Sequence, residues 1–164
     1  MTFDHPPSIP ALTRELAKRL LAARQTLSAA ESCTGGAFSS ACTALPGSSA
    51  WYLGCVVAYA NAAKTALLGV PADLIKTHGA VSRPVAFAMA QGALNRFHSD
   101  LAVSVTGIAG PTGGTPEKPV GTVWIALARQ NTPPIAKLLH LHGTRRTIQR
   151  QTTAALFRLL LASL

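Results

Sequence analysis

Stretches with a helical period and short β-rich runs alternate along most of this 164-residue chain, divided by turns rich in Gly and Pro. A strand followed by a helix, repeated, buries both elements best when a sheet carries helices on both faces. The expected fold class is therefore α/β, a three-layer α/β/α sandwich with a mostly parallel, mixed sheet. The pattern predicts helices over residues 9–24, 37–45, 62–68, 71–77, 83–97 and 145–162. It predicts strands over 26–30, 51–59, 101–106, 120–129 and 135–142. In the first helix Leu12, Leu16, Leu20 and Leu21 fall on one face. Asn61, Ser82 and Thr144 stand where helix caps are expected. The tetrapeptide NTPP is expected to join the last two strands as a hairpin. Residues 1–8 read as a loose arm and 9–164 as one domain, with no repeat or linker.

Composition narrows the class. Hydrophobic residues make up 48% and charged residues 13%, a globular balance rather than a disordered one. The formal charge is +9, which suits either nucleic acid or a small anionic substrate. The basic residues are scattered, and no aromatics are interleaved with them as a base-stacking platform would need, so nucleic acid is not the expected partner. Three cysteines without CxxC spacing, Cys33, Cys42 and Cys55, fit neither a disulfide framework nor a zinc site. His140 and His142 would share a strand face, but no carboxylate or thiol stands at ligand spacing, so no metal is expected. The chain starts without a secretory pattern and has no run long enough to span a bilayer, so a cytoplasmic location is expected and no membrane partner.

Three stretches carry chemistry. In ESCTGG (31–36) a strand runs into a helix through two glycines. Such a turn lets backbone amides approach a ligand, although helix caps use the same residues. Cys33 there is either a nucleophile at a helix start or a small buried residue. The segment 46–64, PGSSAWYLGCVVAYANAAK, puts Ser48 and Ser49 before a strand, Tyr59 at its far end and Lys64 in the next helix. A lysine activates a serine only when its pKa falls well below the ordinary value of about 10.4. Lys64 is otherwise a solvated helix residue. Finally, TGIAGPTGG (106–114) is a Gly-rich loop at a strand's end, where open α/β sheets bind ligands. Arg145, opening the last helix, is placed to grip a phosphate.

The motifs AESCTGG, GSSAWY, VVAYANAAK, HGAVS, VSVTGIAGPTGG and KPVGTVW, in this order, resemble the C-terminal domain of the CinA (competence/damage-inducible) proteins. Its stand-alone members are nicotinamide-nucleotide amidases of the PncC type. The resemblance runs from about Leu12 to the end of the chain. It implies hydrolysis of nicotinamide mononucleotide to nicotinic acid mononucleotide and ammonia, in pyridine-nucleotide salvage and without a cofactor. It also implies a serine nucleophile, mapped to Ser49, with Tyr59 and Lys64 beside it, and a phosphate ligand at Arg145. Thr144 stands where many members carry Asp. The substrate-contact candidates are Ser32, Thr34, Gly35, Ser48, Asn61, Thr106, Gly107, Gly110 and Arg145. Amides near 47–49 or in ESCTGG are the alternatives for an oxyanion hole. A homodimer or higher homo-oligomer is the expected assembly. The alternative reading is a non-catalytic nucleotide-binding module linked to competence or the DNA-damage response.

Overall fold

The computed structural model describes residues 7–164. The helices are α1 (Ile9–Ala23), α2 (Ala37–Thr43), α3 (Asn61–Leu68), α4 (Ala72–His78), α5 (Arg83–Phe97) and α6 (Arg145–Ser163). The strands are β1 (Leu27–Glu31), β2 (Tyr52–Val57), β3 (Leu101–Gly107), β4 (Thr122–Arg129) and β5 (Thr132–His140), and a 3-10 turn covers Ser48–Ala50. The sheet runs β2-β1-β3-β4-β5, with β1 parallel to both β2 and β3, and with β4 antiparallel to β3 and β5. It is a mixed sheet: a parallel half that carries the crossovers, then a hairpin. The expected arm falls mostly on residues 1–6, outside the described ones. Ser8 belongs to α1, because its hydroxyl accepts the Ala11 amide at 3.4 Å.

Strand periodicity divides the core into two layers. Leu101, Val103 and Val105 of β3 join Leu16 and Leu20 of α1, Phe38 of α2 and Phe157 of α6 on one face. Ala30, Ala102, Ala126 and Ala128 face the other way, against Val85, Met89 and Leu94 of α5. The small side chains on that face let α5 lie close, and the Ser104 hydroxyl donates to the Ala86 carbonyl at 2.6 Å. Leu21, expected on the buried face of α1, is 50% exposed. One residue past Leu20 carries it about 100° round the helix, beyond the apolar stripe.

Several expected boundaries move for identifiable reasons. The hairpin turns at Gln130-Asn131, two residues early, because Arg129 pairs with Thr132 and Asn131 takes the left-handed conformation at φ 54°. Pro133 and Pro134 then lie in β5, an edge strand, where a missing amide is tolerated. Asn61 is the first residue of α3 rather than its cap. Ser82 does precede α5, but its hydroxyl turns back to the Gly79 carbonyl at 2.8 Å instead of capping the helix. Thr144 does cap α6, accepting from the Thr147 amide. His140 ends β5 and His142 lies beyond it.

The long Gly-rich loop between β3 and β4 is tied down at its base by Gly121. The Gly121 amide donates to the Ile108 carbonyl, and its own carbonyl accepts from Leu141. Gly121 has φ 93°, and a Cβ there would sit 1.8 Å from the Leu141 oxygen. Gly121→Ala is expected to cost about 3 kcal/mol, from left-handed strain plus displaced backbone. At this chain length that lowers the melting temperature by about 6–12 °C. A melt unchanged from wild type would contradict this role.

Candidate active site

The parallel strands β1, β2 and β3 end together, and the chemistry collects at those carboxyl ends. Ser32 follows β1 directly. Its amide donates to the Val105 carbonyl at 3.1 Å, while the Glu31 carbonyl accepts the Ala58 amide at 2.8 Å. The strand's end is thereby gripped from both neighbours. Beyond Ser32 the chain turns sharply into α2, with Gly36 at φ 99° where a side chain would be strained.

Lys64 reaches this point from the first turns of α3. Its Nζ donates to Ser32 Oγ at 3.0 Å, to the Ala58 carbonyl at 3.2 Å and to the Tyr59 carbonyl at 3.1 Å. The side chain is 1% exposed, so Lys64 is not the solvated helix residue that its position in the sequence allows. Burial holds its pKa below the ordinary lysine value. Cys33 itself is pushed up to about 12 by burial, so it is a neutral thiol rather than a nucleophile at physiological pH.

A cleft of about 270 Å³ opens over this pair, lined by Ser32, Cys33, Tyr59, Asn61, Lys64, residues 80–81 and 106–110, Thr112, Gly113 and Arg145. Among the candidates from the sequence, the structure gathers Ser32, Tyr59, Asn61, Lys64, Thr106, Gly107, Gly110 and Arg145 on this cleft. Thr34 is buried in the turn behind it, and Gly35 continues that turn, its amide donating to the Ser32 carbonyl. Ser48 and Ser49 are elsewhere. They form the 3-10 turn that enters β2, whereas Lys64 follows the exit of β2. Six strand residues intervene, a span of about 20 Å. The expectation that Ser49 partners Lys64 is therefore replaced by Ser32. Ser49 is the serine implied by the resemblance, whereas strand order places the end of β1 beside the end of β2.

Tyr59 is 60% exposed on the rim. Its hydroxyl does not touch Ser32 or Lys64. It accepts from Arg145 Nη2 at 2.8 Å, while Arg145 Nη1 donates to the Gly110 carbonyl at 2.9 Å. Arg145 thus joins the start of α6, the Gly-rich loop and the segment before α3. The Thr106 hydroxyl donates to the Ala80 carbonyl at 2.8 Å, which brings residues 80–81 to the wall. Gln149 of α6 donates to the Cys33 carbonyl at 2.9 Å. Neither 80–81 nor Gln149 was a candidate from the sequence. The motif HGAVS marks the first, and no local signal marks the second. Among the described residues the amides of Cys33 and Thr34 have no hydrogen-bond partner. Nor does any group of three His, Cys, Asp or Glu there sit as metal ligands, and no helix is long and apolar enough to cross a membrane.

A buried lysine with a lowered pKa also links stability to pH. Between the folded Lys64 value and 10.5 the unfolded chain binds more protons than the folded one. Stability therefore rises with pH through that window. Measured by urea unfolding at pH 7 and about pH 9, wild type should gain relative to Lys64→Met as pH rises. A pH-independent difference would count against a desolvated ammonium.

Fold and site together define a mixed α/β domain with a buried serine–lysine pair at the carboxyl ends of its parallel strands. A model of the CinA C-terminal domain family matches residues 10–164, and the chain belongs to that family. It is 52% identical over 140 residues to a CinA-like protein of Mycobacterium sp. (strain JLS), covering 85% of this chain and 33% of the relative. It is 58% identical over 136 residues to a putative competence-damage inducible protein of Symbiobacterium thermophilum, covering 77% and 32%. The chain thus spans about a third of the length of the curated relatives it matches. Among solved structures, the competence/damage inducible protein CihA from Agrobacterium tumefaciens superposes with TM-score 0.93 at 39% identity, covering 99% of this chain and 98% of that one. A CinA superfamily protein from Escherichia coli gives 0.92 at 34%, covering 96% and 91%.

Proposed function

We propose that this domain is a serine amidohydrolase that deamidates nicotinamide mononucleotide, with Ser32 as nucleophile and Lys64 as base. The observation that carries the reading is the set of three partners around Lys64 Nζ. Two are carbonyls, Ala58 and Tyr59, which only accept; the third is a hydroxyl, which can also donate. A neutral amine has two N–H groups and one lone pair. Once deprotonated, the amine gives its two hydrogens to the carbonyls and turns its lone pair to the Ser32 hydroxyl. Burial favours that neutral form.

The reaction follows from this arrangement. Lys64 takes the Ser32 proton as Oγ attacks the carboxamide carbon. The unpartnered amide of Cys33, a residue that lines the cleft, lies next to the nucleophile, where developing oxyanion charge is best met. The Lys64 ammonium returns its proton to the departing ammonia, and water then hydrolyses the acyl-enzyme. Arg145, at the start of the 19-residue helix α6, supplies the cation for the nucleotide phosphate. Tyr59 serves to orient Arg145 rather than to relay the proton.

The test is ammonia release from nicotinamide mononucleotide by the purified chain. The expected result is equal amounts of ammonia and nicotinic acid mononucleotide over many turnovers. Tight binding of the nucleotide with no turnover would overturn the hydrolase reading and leave a binding module.

A further inference from the structure

Glu31 is the one carboxylate with no access to solvent among the described residues, at 0% exposure, and the cleft does not include it. It makes no ion pair among those residues. Instead it collects backbone amides: Oε2 accepts from Gly36 at 3.1 Å and Phe38 at 3.2 Å, and Oε1 accepts from Ser39 at 2.8 Å. The Cys55 thiol of β2 approaches Oε1 at 3.6 Å. One side chain thus closes the loop of chain from β1 to α2, with Ser32 as the next residue along. The amides it takes are those of residues 36, 38 and 39. Those of residues 33 and 34 are left open.

We propose that Glu31 is a positioning residue for the nucleophile, its carboxylate fixing the Ser32 turn so that Oγ meets Lys64 and the Cys33 amide stays beside the cleft. The inference rests on the amidohydrolase reading for its kinetic consequence and on geometry alone for its structural one. The backbone of Ser32 is held by Val105 and Gly35, but its hydroxyl has Lys64 as its one hydrogen-bond partner among the described residues. The turn has two positive-φ glycines, Gly35 and Gly36, and so little stiffness of its own. A charged acceptor shared by three amides supplies what the turn lacks, since hydrogen bonds to an ionised group are shorter and stronger than neutral ones.

Glu31→Gln is the discriminating variant. The glutamine amide is isosteric, yet its NH2 must face either Ser39 N–H or the Gly36 and Phe38 pair, so at least one donor meets a donor. Ammonia release should fall about 100-fold in kcat, with KM for the nucleotide within about twofold, because binding groups such as Arg145 are untouched. Glu31→Asp keeps the charge on a shorter arm and should recover part of that loss. Crystal structures and amide hydrogen exchange are read alongside. The Gln variant should show a lengthened Ser32–Lys64 contact and faster exchange at residues 36, 38 and 39. Full kcat in Glu31→Gln, or lost activity with contact and exchange both unchanged, overturns the proposal. If wild type itself releases no ammonia, the amidohydrolase reading fails, and the contact and exchange measurements decide this inference alone. If the Gln variant does not fold, the same measurements on Glu31→Asp carry the test.

Discussion

Ser32→Ala is expected to lower kcat for nicotinamide mononucleotide by about 10⁴–10⁶-fold, the range seen when a hydrolase loses its nucleophile. The substitution removes one oxygen from a residue that is 6% exposed. The backbone bonds from its amide to Val105 and from Gly35 to its carbonyl remain, so the fold should persist and nucleotide should still bind. Ser49→Ala, by contrast, alters an exposed turn at the opposite end of β2 and should leave kcat within about twofold. The pair of variants separates the nucleophile that the resemblance implies, Ser49, from the serine that Lys64 touches, Ser32. Loss in Ser49→Ala with activity kept in Ser32→Ala would reverse the assignment and detach Lys64 from the chemistry.

Lys64→Arg and Lys64→Met should each reduce kcat by about 10³-fold or more, for different reasons. Methionine has no lone pair. Arginine has a pKa above 12 and cannot give up its proton to become a base. A charge-conserving change should therefore fail as badly as a neutral one, which separates a base from a cation that merely binds anions. The wild-type pH profile carries the same signature. In the proposed mechanism Lys64 acts deprotonated, so kcat/KM should rise with pH through its lowered pKa and then level. A rate independent of pH from 6 to 10 would falsify the base assignment.

How far the sequence reached follows from how local each feature is. Helical periods locate α1, α5 and α6 closely because each stripe lies within one segment. The Gly-rich loop and Arg145 are legible because glycine runs and helix starts are local signals. The serine–lysine pairing was not. Ser49 and Lys64 are 15 positions apart and Ser32 and Lys64 are 32 apart, so the serine that Lys64 touches is the more distant one in the chain. Only the order β2-β1-β3 brings the ends of β1 and β2 together. Glu31 was equally hidden, because a lone glutamate beside polar and glycine residues looks like a solvated group. Its value comes from three amides that exist only once the turn has formed. Tyr59 lines the cleft, but its hydroxyl meets Arg145 from 86 positions away instead of Lys64.

The hold on Lys64 has a consequence for how such a site could change or be moved. Apart from Ser32, the atoms that grip its amine are peptide oxygens of residues 58 and 59. The side chain at position 59, which is exposed, is therefore exchangeable so long as the chain leaves β2 and enters α3 along the same path, whereas Ala58 is packed in the core. Substitution could rewrite the rim around Tyr59, and with it the choice of substrate, without disturbing the base. A designer grafting this reactivity onto another scaffold would have to copy a strand exit and a helix entry, because two residue names alone would not transfer it.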